Sequence, residues 1–310
     1  MNKIKVSAVV PVFNEEQNLD ELFSRLTKTL DRAGYSYEII FVDDGSRDKS
    51  LSMLKGYADK NKNTRVVEFS RNFGQHNAVM AGFAASRGEI VVTLDADLQN
   101  PPEEIPKLVA KVEEGYDSVG GWRQNRDDSW LRKIPSKILN KMSAHLFGVA
   151  LKDYGCMLRA YRRAVVDEVV KCPELTTYIP ALANSFARRV TEIPVEHAAR
   201  TRGESKYNFI KLLRLNFDLM TGFSLLPIQL VGIAGLVVAV FGLAFAAFLF
   251  LRRFIMGAEA EGVFTLFAIL FTFVGFQIFA LGVLGEYIGR IYQEVRRRPR
   301  YVIRQIHGDK

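Results

Sequence analysis

Hydrophobic and polar positions fall into two regimes along this chain. From Ile4 to Trp122, short apolar runs alternate with segments of helical period. Val6 to Val12 is a β-branched apolar run that ends in Pro11-Val12-Phe13-Asn14. A helical pattern follows over Gln17 to Ala33. Tyr37 to Val42 predicts a second strand, closed by Asp43-Asp44-Gly45-Ser46, with a helix from Asp48 to Asn61. Thr64 to Phe69 predicts a third strand and Asn77 to Ser86 a helix. Glu89 to Leu94 predicts a fourth strand, ended by Asp95-Ala96-Asp97. Continuous apolar strands between amphipathic helices predict an α/β domain with a mostly parallel, Rossmann-like sheet covered on both faces. Ligands of such sheets bind beyond the carboxyl ends of the strands. Both acidic clusters stand at such ends.

The second regime is apolar throughout. In the run 225–251 the strongly polar side chain is Gln229 alone, and in 263–285 the one amide is Gln277. About 20 apolar residues span a bilayer, so both runs are expected to be transmembrane helices forming a hairpin. A soluble core helix of that length would show a polar face. Lys206, Lys211 and Arg214 precede the first run. Arg290, Arg296, Arg297, Arg298, Arg300, Arg304 and Lys310 follow the second. This basic excess predicts that both termini and the α/β domain lie on the cytoplasmic side. The tail arginines are also placed to meet anionic headgroups. Two further stretches, Trp130 to Phe147 and Phe209 to Phe223, mix apolar residues at helical spacing with Arg and Lys. They are expected to be amphipathic helices in the membrane interface. The expected organisation is therefore a core over 1–125, an acceptor-side part over 126–224, the two spans over 225–285 and a basic tail over 286–310.

Composition changes this picture little. Over 310 residues, 48% hydrophobic and 25% charged look like an average soluble protein, because averaging hides the split. The net charge of +8 suits nucleic acid, an anionic membrane or a phosphorylated substrate, and the split favours the last two over nucleic acid. Cys156 and Cys172 are too few for a disulfide scaffold and predict free thiols in a reducing compartment. The N-terminus shows no apolar core of signal-peptide type.

Three groups can carry chemistry. Asp95 and Asp97 flank one residue at a strand end, where both carboxylates can turn to one hard cation, Mg²⁺ or Mn²⁺. Gln99 can add a carbonyl oxygen. Asp43 can accept from a base N–H or a ribose hydroxyl, although Asp and Gly also serve the backbone of such a turn. Arg123, Arg126 and Arg132, with Arg202, Ser205 and Lys206, form a cationic set suited to phosphate oxygens.

Taken together, Pro11-Val12-Phe13-Asn14-Glu15, Val42-Asp43-Asp44-Gly45-Ser46 and Asp95-Ala96-Asp97-Leu98-Gln99 resemble the family 2 glycosyltransferases of GT-A fold. Five more segments narrow the resemblance to the polyprenyl-phosphate glycosyltransferases related to dolichyl-phosphate mannose synthase. They are Asn72-Phe73-Gly74-Gln75-His76, Arg123-Gln124-Asn125-Arg126, Asp153-Tyr154-Gly155-Cys156-Met157-Leu158-Arg159, Gly203-Glu204-Ser205-Lys206-Tyr207 and Leu284-Gly285-Glu286-Tyr287-Ile288-Gly289-Arg290. The resemblance implies transfer of a sugar from a UDP-sugar to undecaprenyl phosphate at the inner membrane of a bacterium. The sugar it implies is 4-deoxy-4-formamido-L-arabinose, for lipid A modification and polymyxin resistance, with glucosyl or mannosyl transfer as the alternative. It implies that Pro11, Phe13, Glu15 and Asp43 hold the uridine, and that Asp95, Asp97 and Gln99 hold the metal and diphosphate. Arg123 and Arg132 would contact phosphates, Arg202, Ser205 and Lys206 would bind the acceptor phosphate or donor diphosphate, and Asp153 would lie near the sugar. Relatives of this kind suggest a homo-oligomer such as a tetramer. A processive polysaccharide synthase would bring a QxxRW motif and more membrane helices, which the chain lacks. A membrane-anchored nucleotide-sugar-binding module is the non-enzyme alternative, against which the intact acidic clusters argue.

Overall fold

Strand β1 (Val6–Val12) is buried along its whole length, because its side chains alternate between two helix layers. Val6, Ala8, Val10 and Val12 enter one core, and Val9 enters the other. The same alternation runs through β2 (Tyr37–Asp43), with Ile39 and Phe41 on one face and Ile40 and Val42 on the other. Such strands read as unbroken apolar runs because neither face meets water. The computed structural model describes residues 3–123, 153, 155–172, 178–197, 226–256, 263–296 and 298–308.

Helix α1 (Leu19–Arg32) lays Leu19, Leu22, Leu26 and Leu30 on the sheet at the spacing of one helical face. α2 (Ser50–Lys60) and α4 (Ile105–Glu113) share that layer, α4 through Ile105, Leu108, Val109 and Val112. The opposite layer holds α3 (Gln75–Ala85), α5 (Arg163–Lys171) and α6 (Ile179–Phe186). α3 comes unusually close to β1: a Cβ on Gly82 would stand 2.2 Å from Cγ1 of Val9.

Among the described residues the sheet has eight strands in the order β7-β5-β6-β4-β1-β2-β3-β8. β3 (Thr64–Phe69) and β4 (Ile90–Thr93) complete the parallel centre with β1 and β2. From β1 the chain proceeds to β2 and β3 on one side and then crosses to β4 on the other, so the ends of β1 and β4 form a topological switch point. The sheet is more mixed than expected. β5 (Ser118–Arg123) pairs in parallel with β7 (Val190–Val195), while β6 (Arg159–Arg162) runs antiparallel to both β4 and β5. The α/β core predicted to stop at residue 125 thus continues through Val195.

The chain divides into two units, Met1–Lys206 with Pro299–Lys310, and Tyr207–Arg298. The last residues therefore belong to the sheet unit rather than forming a free basic tail. β8 (Ile303–His307) pairs antiparallel with β3 and closes that edge. In the second unit, α7 (Leu226–Met256) and α8 (Val263–Val295) run beyond the expected limits of 251 and 285. α7 and α8 meet where glycines of one face rings of the other: a Cβ on Gly242 would touch Phe273 at 3.3 Å, and one on Gly235 would touch Phe276 at 3.8 Å. Large side chains on the outside, such as Phe241, Phe254, Ile255, Phe271 and Leu281, are exposed. Among the described residues one helix segment, Ile269–Val295, is long and apolar enough to cross a membrane, and Ile228–Gly242 is a shorter apolar stretch. The expected amphipathic helices at 130–147 and 209–223 lie outside the described residues.

Candidate active site

Strained backbone marks the carboxyl ends of β1 and β4. Among the described residues, the non-glycine residues with positive φ are Asn14 (56°), just past β1, and Leu98 (60°), in the loop after β4. Such strain persists where surrounding contacts fix it. Around Asn14 the contacts are explicit: its backbone N–H donates to Oγ of Ser46 at 3.1 Å, and its Oδ1 accepts from the N–H of Arg47 at 2.8 Å. The loops after β1 and β2 are tied further by the N–H of Glu15 donating to Oγ of Ser50 and the N–H of Glu16 donating to Asp48.

The two aspartates ending β2 have different tasks. Asp44 accepts the backbone N–H groups of Phe73 and Gly74 at 2.6 and 2.9 Å, which fastens the loop before α3 to the end of β2. Gly45 allows the same close approach from the other side. It has φ 71°, and a Cβ there would lie 2.6 Å from the backbone of Arg71 and Asn72. Asp43 accepts the N–H of Ser46 through Oδ2 at 3.2 Å, but its buried Oδ1 has no hydrogen-bond partner. Burial raises the pKa of Asp43 despite those turn hydrogen bonds. An orphaned buried acceptor costs about 1–3 kcal/mol, which a ligand donor would relieve. Asp43 lines a cleft of about 320 Å³ between the ends of β2 and β3, walled also by Phe13, Ser46, Arg47, Arg71 and Asn72. Of the residues expected at the uridine, Phe13 and Asp43 line this cleft. Pro11 is buried inside β1, and the carboxylate of Glu15 accepts the side-chain amide of Asn18 at 2.6 Å.

Asp95 and Asp97 follow β4. Burial, and then the neighbouring Asp97, push Asp95 up to about 7, against the pull of Arg123 and a hydrogen bond from the Gln75 amide at 2.6 Å. Asp97 is held by the backbone N–H of Gln99, donating to its Oδ1 at 3.1 Å. This main-chain bond ties Gln99 to Asp97. Two carboxylates kept close against their own repulsion suit a divalent cation. Among the described residues no three His, Cys, Asp or Glu side chains converge as a full ligand set. Mg²⁺ commonly takes one or two carboxylates and completes its shell with waters and substrate phosphates, so the pair fits an ion shared with a diphosphate.

Arg123, ending β5, meets Asp153 in a two-pronged ion pair, Nε to Oδ2 at 2.6 Å and Nη2 to Oδ1 at 2.9 Å. The expected phosphate contact and the expected sugar-side carboxylate are thus joined to each other. Beneath them the fully buried Arg159 donates to the carbonyl oxygens of Cys156 and Asp153 at 2.9 Å each, shaping the loop that carries Asp153. Burial pushes the thiol of Cys156 up to about 11, which leaves it protonated and inert at neutral pH. Burial likewise pushes His76 down to about 4, so its imidazole is neutral. Arg126, Arg132, Arg202, Ser205 and Lys206 lie outside the described residues. Arg47 and Arg71 were not singled out from sequence, and Ser46 and Asn72 entered only as members of motifs, because loop polarity alone does not separate a cleft wall from a solvated turn. Arg304, from β8, also lines the cleft.

The cleft over β2 and β3 and the carboxylate pair at the switch point stand on a sheet of the GT-A glycosyltransferase type. Residues 7–170 match the Glycosyl transferase family 2 profile, so the chain belongs to that family and is a glycosyltransferase. It is 53% identical over 309 residues to the undecaprenyl-phosphate 4-deoxy-4-formamido-L-arabinose transferase of Proteus mirabilis (strain HI4320), covering 99% of this chain and 95% of that one. A transferase of the same name from Shewanella sediminis (strain HAW-EB3) is 53% identical over 304 residues, covering 97% and 92%. Among solved structures, glucosyl-3-phosphoglycerate synthase of Mycobacterium tuberculosis, bound to Mn²⁺, UDP and glucosyl-3-phosphoglycerate, shares the fold. Its TM-score is 0.52 at 18% identity, over 71% of this chain and 80% of that one.

Proposed function

We propose that this glycosyltransferase moves a sugar from a UDP-sugar to undecaprenyl phosphate with inversion, using Mg²⁺ or Mn²⁺, at the cytoplasmic face of the inner membrane. The sugar proposed is 4-deoxy-4-formamido-L-arabinose, as in the names of the relatives at 53% identity. The observation that carries the donor half is Asp43 in the wall of the cleft over β2 and β3, with one buried carboxylate oxygen outside any protein hydrogen bond. β4, which leads into Asp95 and Asp97, lies two strands away from β2, a spacing of about 10 Å. A nucleoside diphosphate laid across the strand ends would place its base and ribose by Asp43 and its diphosphate by the aspartates. The exposed apolar faces of α7 and α8 support the membrane half, with the two helices as a hairpin anchor.

In this reading the phosphate oxygen of the lipid attacks the anomeric carbon from the face opposite the leaving UDP. The C–O bond to phosphate forms as the bond to UDP breaks, and the electron pair leaves on the diphosphate. A phosphate monoester with a second pKa of about 6 is largely dianionic at neutral pH, so no residue need remove a proton. Asp95 and Asp97 would hold the divalent cation, whose chemistry there would be charge neutralisation of the departing diphosphate. The chain's own residues align the reactants. Asp43 orients the nucleoside. The Arg123–Asp153 pair sets charge beside the sugar. Arg132, Arg202, Ser205 and Lys206 would add contacts to the phosphates.

The test is product formation by the full chain in detergent with undecaprenyl phosphate, Mn²⁺ or Mg²⁺ and a panel of UDP-sugars, read by mass spectrometry of the lipid. Transfer from the formamido-arabinose donor is expected. Transfer from UDP-glucose or another hexose instead would overturn the sugar assignment. Transfer from no donor would leave a binding module in its place.

A further inference from the structure

The chain returns from the membrane helices to the catalytic sheet, and where it returns bears on the donor cleft. We propose that Arg304, on β8, is a donor-binding residue that contacts the base-and-ribose end of the nucleotide. The inference rests on the nucleotide-sugar reading of the cleft and adds a residue to it from the far end of the sequence.

The segment 299–308 is built onto the sheet unit. Arg300 donates to the carbonyl of Cys172. Tyr301 stacks on Phe69 with ring centres 5.1 Å apart at 14°. At the other end Gly308 has φ 80°, and a Cβ there would lie 2.5 Å from the carbonyl oxygen of Thr64. A glycine is required at that point for β8 to lie against β3.

Between these clamps the pairing is irregular at one place. Val66 pairs with His307, Val67 with Ile306 and Glu68 with Gln305, but the next residue, Phe69, pairs with Ile303. Arg304 is therefore the extra residue of a β-bulge. Bulges re-aim a side chain out of the regular alternation and are frequent beside active sites. Here the re-aimed side chain joins Asp43, Arg47, Arg71 and Phe13 in the cleft wall. Its Nη1 contacts the nearly buried Glu68 at 3.3 Å, while the side chain remains 72% exposed. The contact with Glu68 leaves most of the side chain's surface open to a ligand.

The position in the sheet selects the part of the nucleotide. Arg304 stands at the β3–β8 edge, on the far side of β2 from the aspartates after β4. The diphosphate belongs at the β4 end, so a base or ribose is what reaches this edge. A uracil ring offers carbonyl oxygens to guanidinium N–H donors and a planar face for stacking, and an Arg fork serves either.

The experiment is calorimetric titration of UDP and of UMP, with Mn²⁺, into the full chain in detergent. It compares wild type, Arg304→Ala, Arg304→Lys and His307→Ala. His307 also holds Glu68, at 3.0 Å, but does not line the cleft, so it reports strand docking alone. Loss of one guanidinium contact should weaken UDP and UMP alike by roughly five- to twentyfold in Arg304→Ala. Arg304→Lys, which keeps a cation for Glu68 but not the planar fork, should show a smaller loss. His307→Ala should stay near wild type. An unchanged Arg304→Ala affinity in a wild type that binds UDP would overturn the proposal and leave the donor site standing. A loss confined to UDP would move the contact to the diphosphate, and an equal loss in His307→Ala would reduce Arg304 to a strand clamp; either result overturns it. Wild-type protein that binds neither nucleotide would overturn the donor reading together with this one.

Discussion

At the scale of single residues, the site is organised by acidic groups held in unequal environments. Asp44 is satisfied by two backbone N–H groups and serves the loop. Asp43 keeps one buried oxygen without a hydrogen-bond partner. Asp95, pushed up to about 7 by burial and by Asp97, is half protonated at neutral pH without metal. A cation must displace that proton, so metal binding should release protons near pH 7. The affinity for Mn²⁺ should fall about tenfold per pH unit below 7 and level off above 8, which calorimetry in buffers of different pH would read. The sign for folding is the reverse of that for an ordinary ion-paired carboxylate. The folded-state pKa is raised, so the metal-free protein binds this proton more tightly than the unfolded chain and loses stability as pH rises from about 4 to 7. Asp95→Asn should therefore melt higher than metal-free wild type at pH 8 while losing Mn²⁺ binding. Asp97→Asn should lower product formation by roughly a thousandfold or more, the scale of lost charge stabilisation at a reacting centre, with an unchanged circular dichroism spectrum. Near-normal activity in that variant would remove Asp97 from the metal site.

At the scale of elements, α3 illustrates how packing sets site geometry. Gly82 lets the helix press on Val9 of β1, and the same helix begins at Gln75, whose amide holds Asp95. Gly82→Ala should force the helix off the sheet and cost about 1–3 kcal/mol, measured by thermal unfolding, and should weaken metal binding as Gln75 shifts. The elements legible in the sequence were those buried on both faces. β1 and β3 fall at their expected limits, and β2 runs one residue past its expected end at Val42. α3 begins two residues ahead of its expected start at Asn77, where Asp44 binds the N–H groups just before it. β5 was not legible, because Gly120 and Gly121 carry no strand preference. Their reason is tertiary: a Cβ on Gly120 would lie 3.0 Å from Nη1 of Arg159, and one on Gly121 would lie 2.9 Å from Val195. β8 was not legible either, because Tyr301 to His307 shows no apolar-polar alternation and follows a run of arginines.

At the scale of the whole molecule, the chain leaves its catalytic unit for a pair of apolar helices and comes back as an edge strand. The return covers β3, whose open edge would otherwise offer unpaired backbone groups to other chains. Glu68 is the electrostatic centre of the joint, with Lys55 at 3.0 Å, Arg304 at 3.3 Å and His307 at 3.0 Å. Burial alone would raise its pKa, but the hydrogen bonds from His307 and Lys55 and the charges of Lys55 and Arg304 outweigh burial and lower it. A lowered folded-state pKa gives stability that is present above the ordinary value near 4.5 and lost as pH falls through the folded one. The β8 amides should therefore stay protected from hydrogen exchange at pH 6 to 8 and lose protection below about pH 4, before the central strands do. The acidic motifs on β2 and β4 were readable because residue type and strand position coincide there. The contribution of Arg304 was not, because a strand more than two hundred residues away in sequence supplies the cleft it enters.

The most direct measurement is the structure of the full chain bound to UDP and Mn²⁺. The account predicts the ribose or base within hydrogen-bond distance of Asp43 in the cleft over β2 and β3, and Mn²⁺ bridging the diphosphate to Asp95 or Asp97. A nucleotide bound elsewhere, or a diphosphate held without the two aspartates, would contradict it.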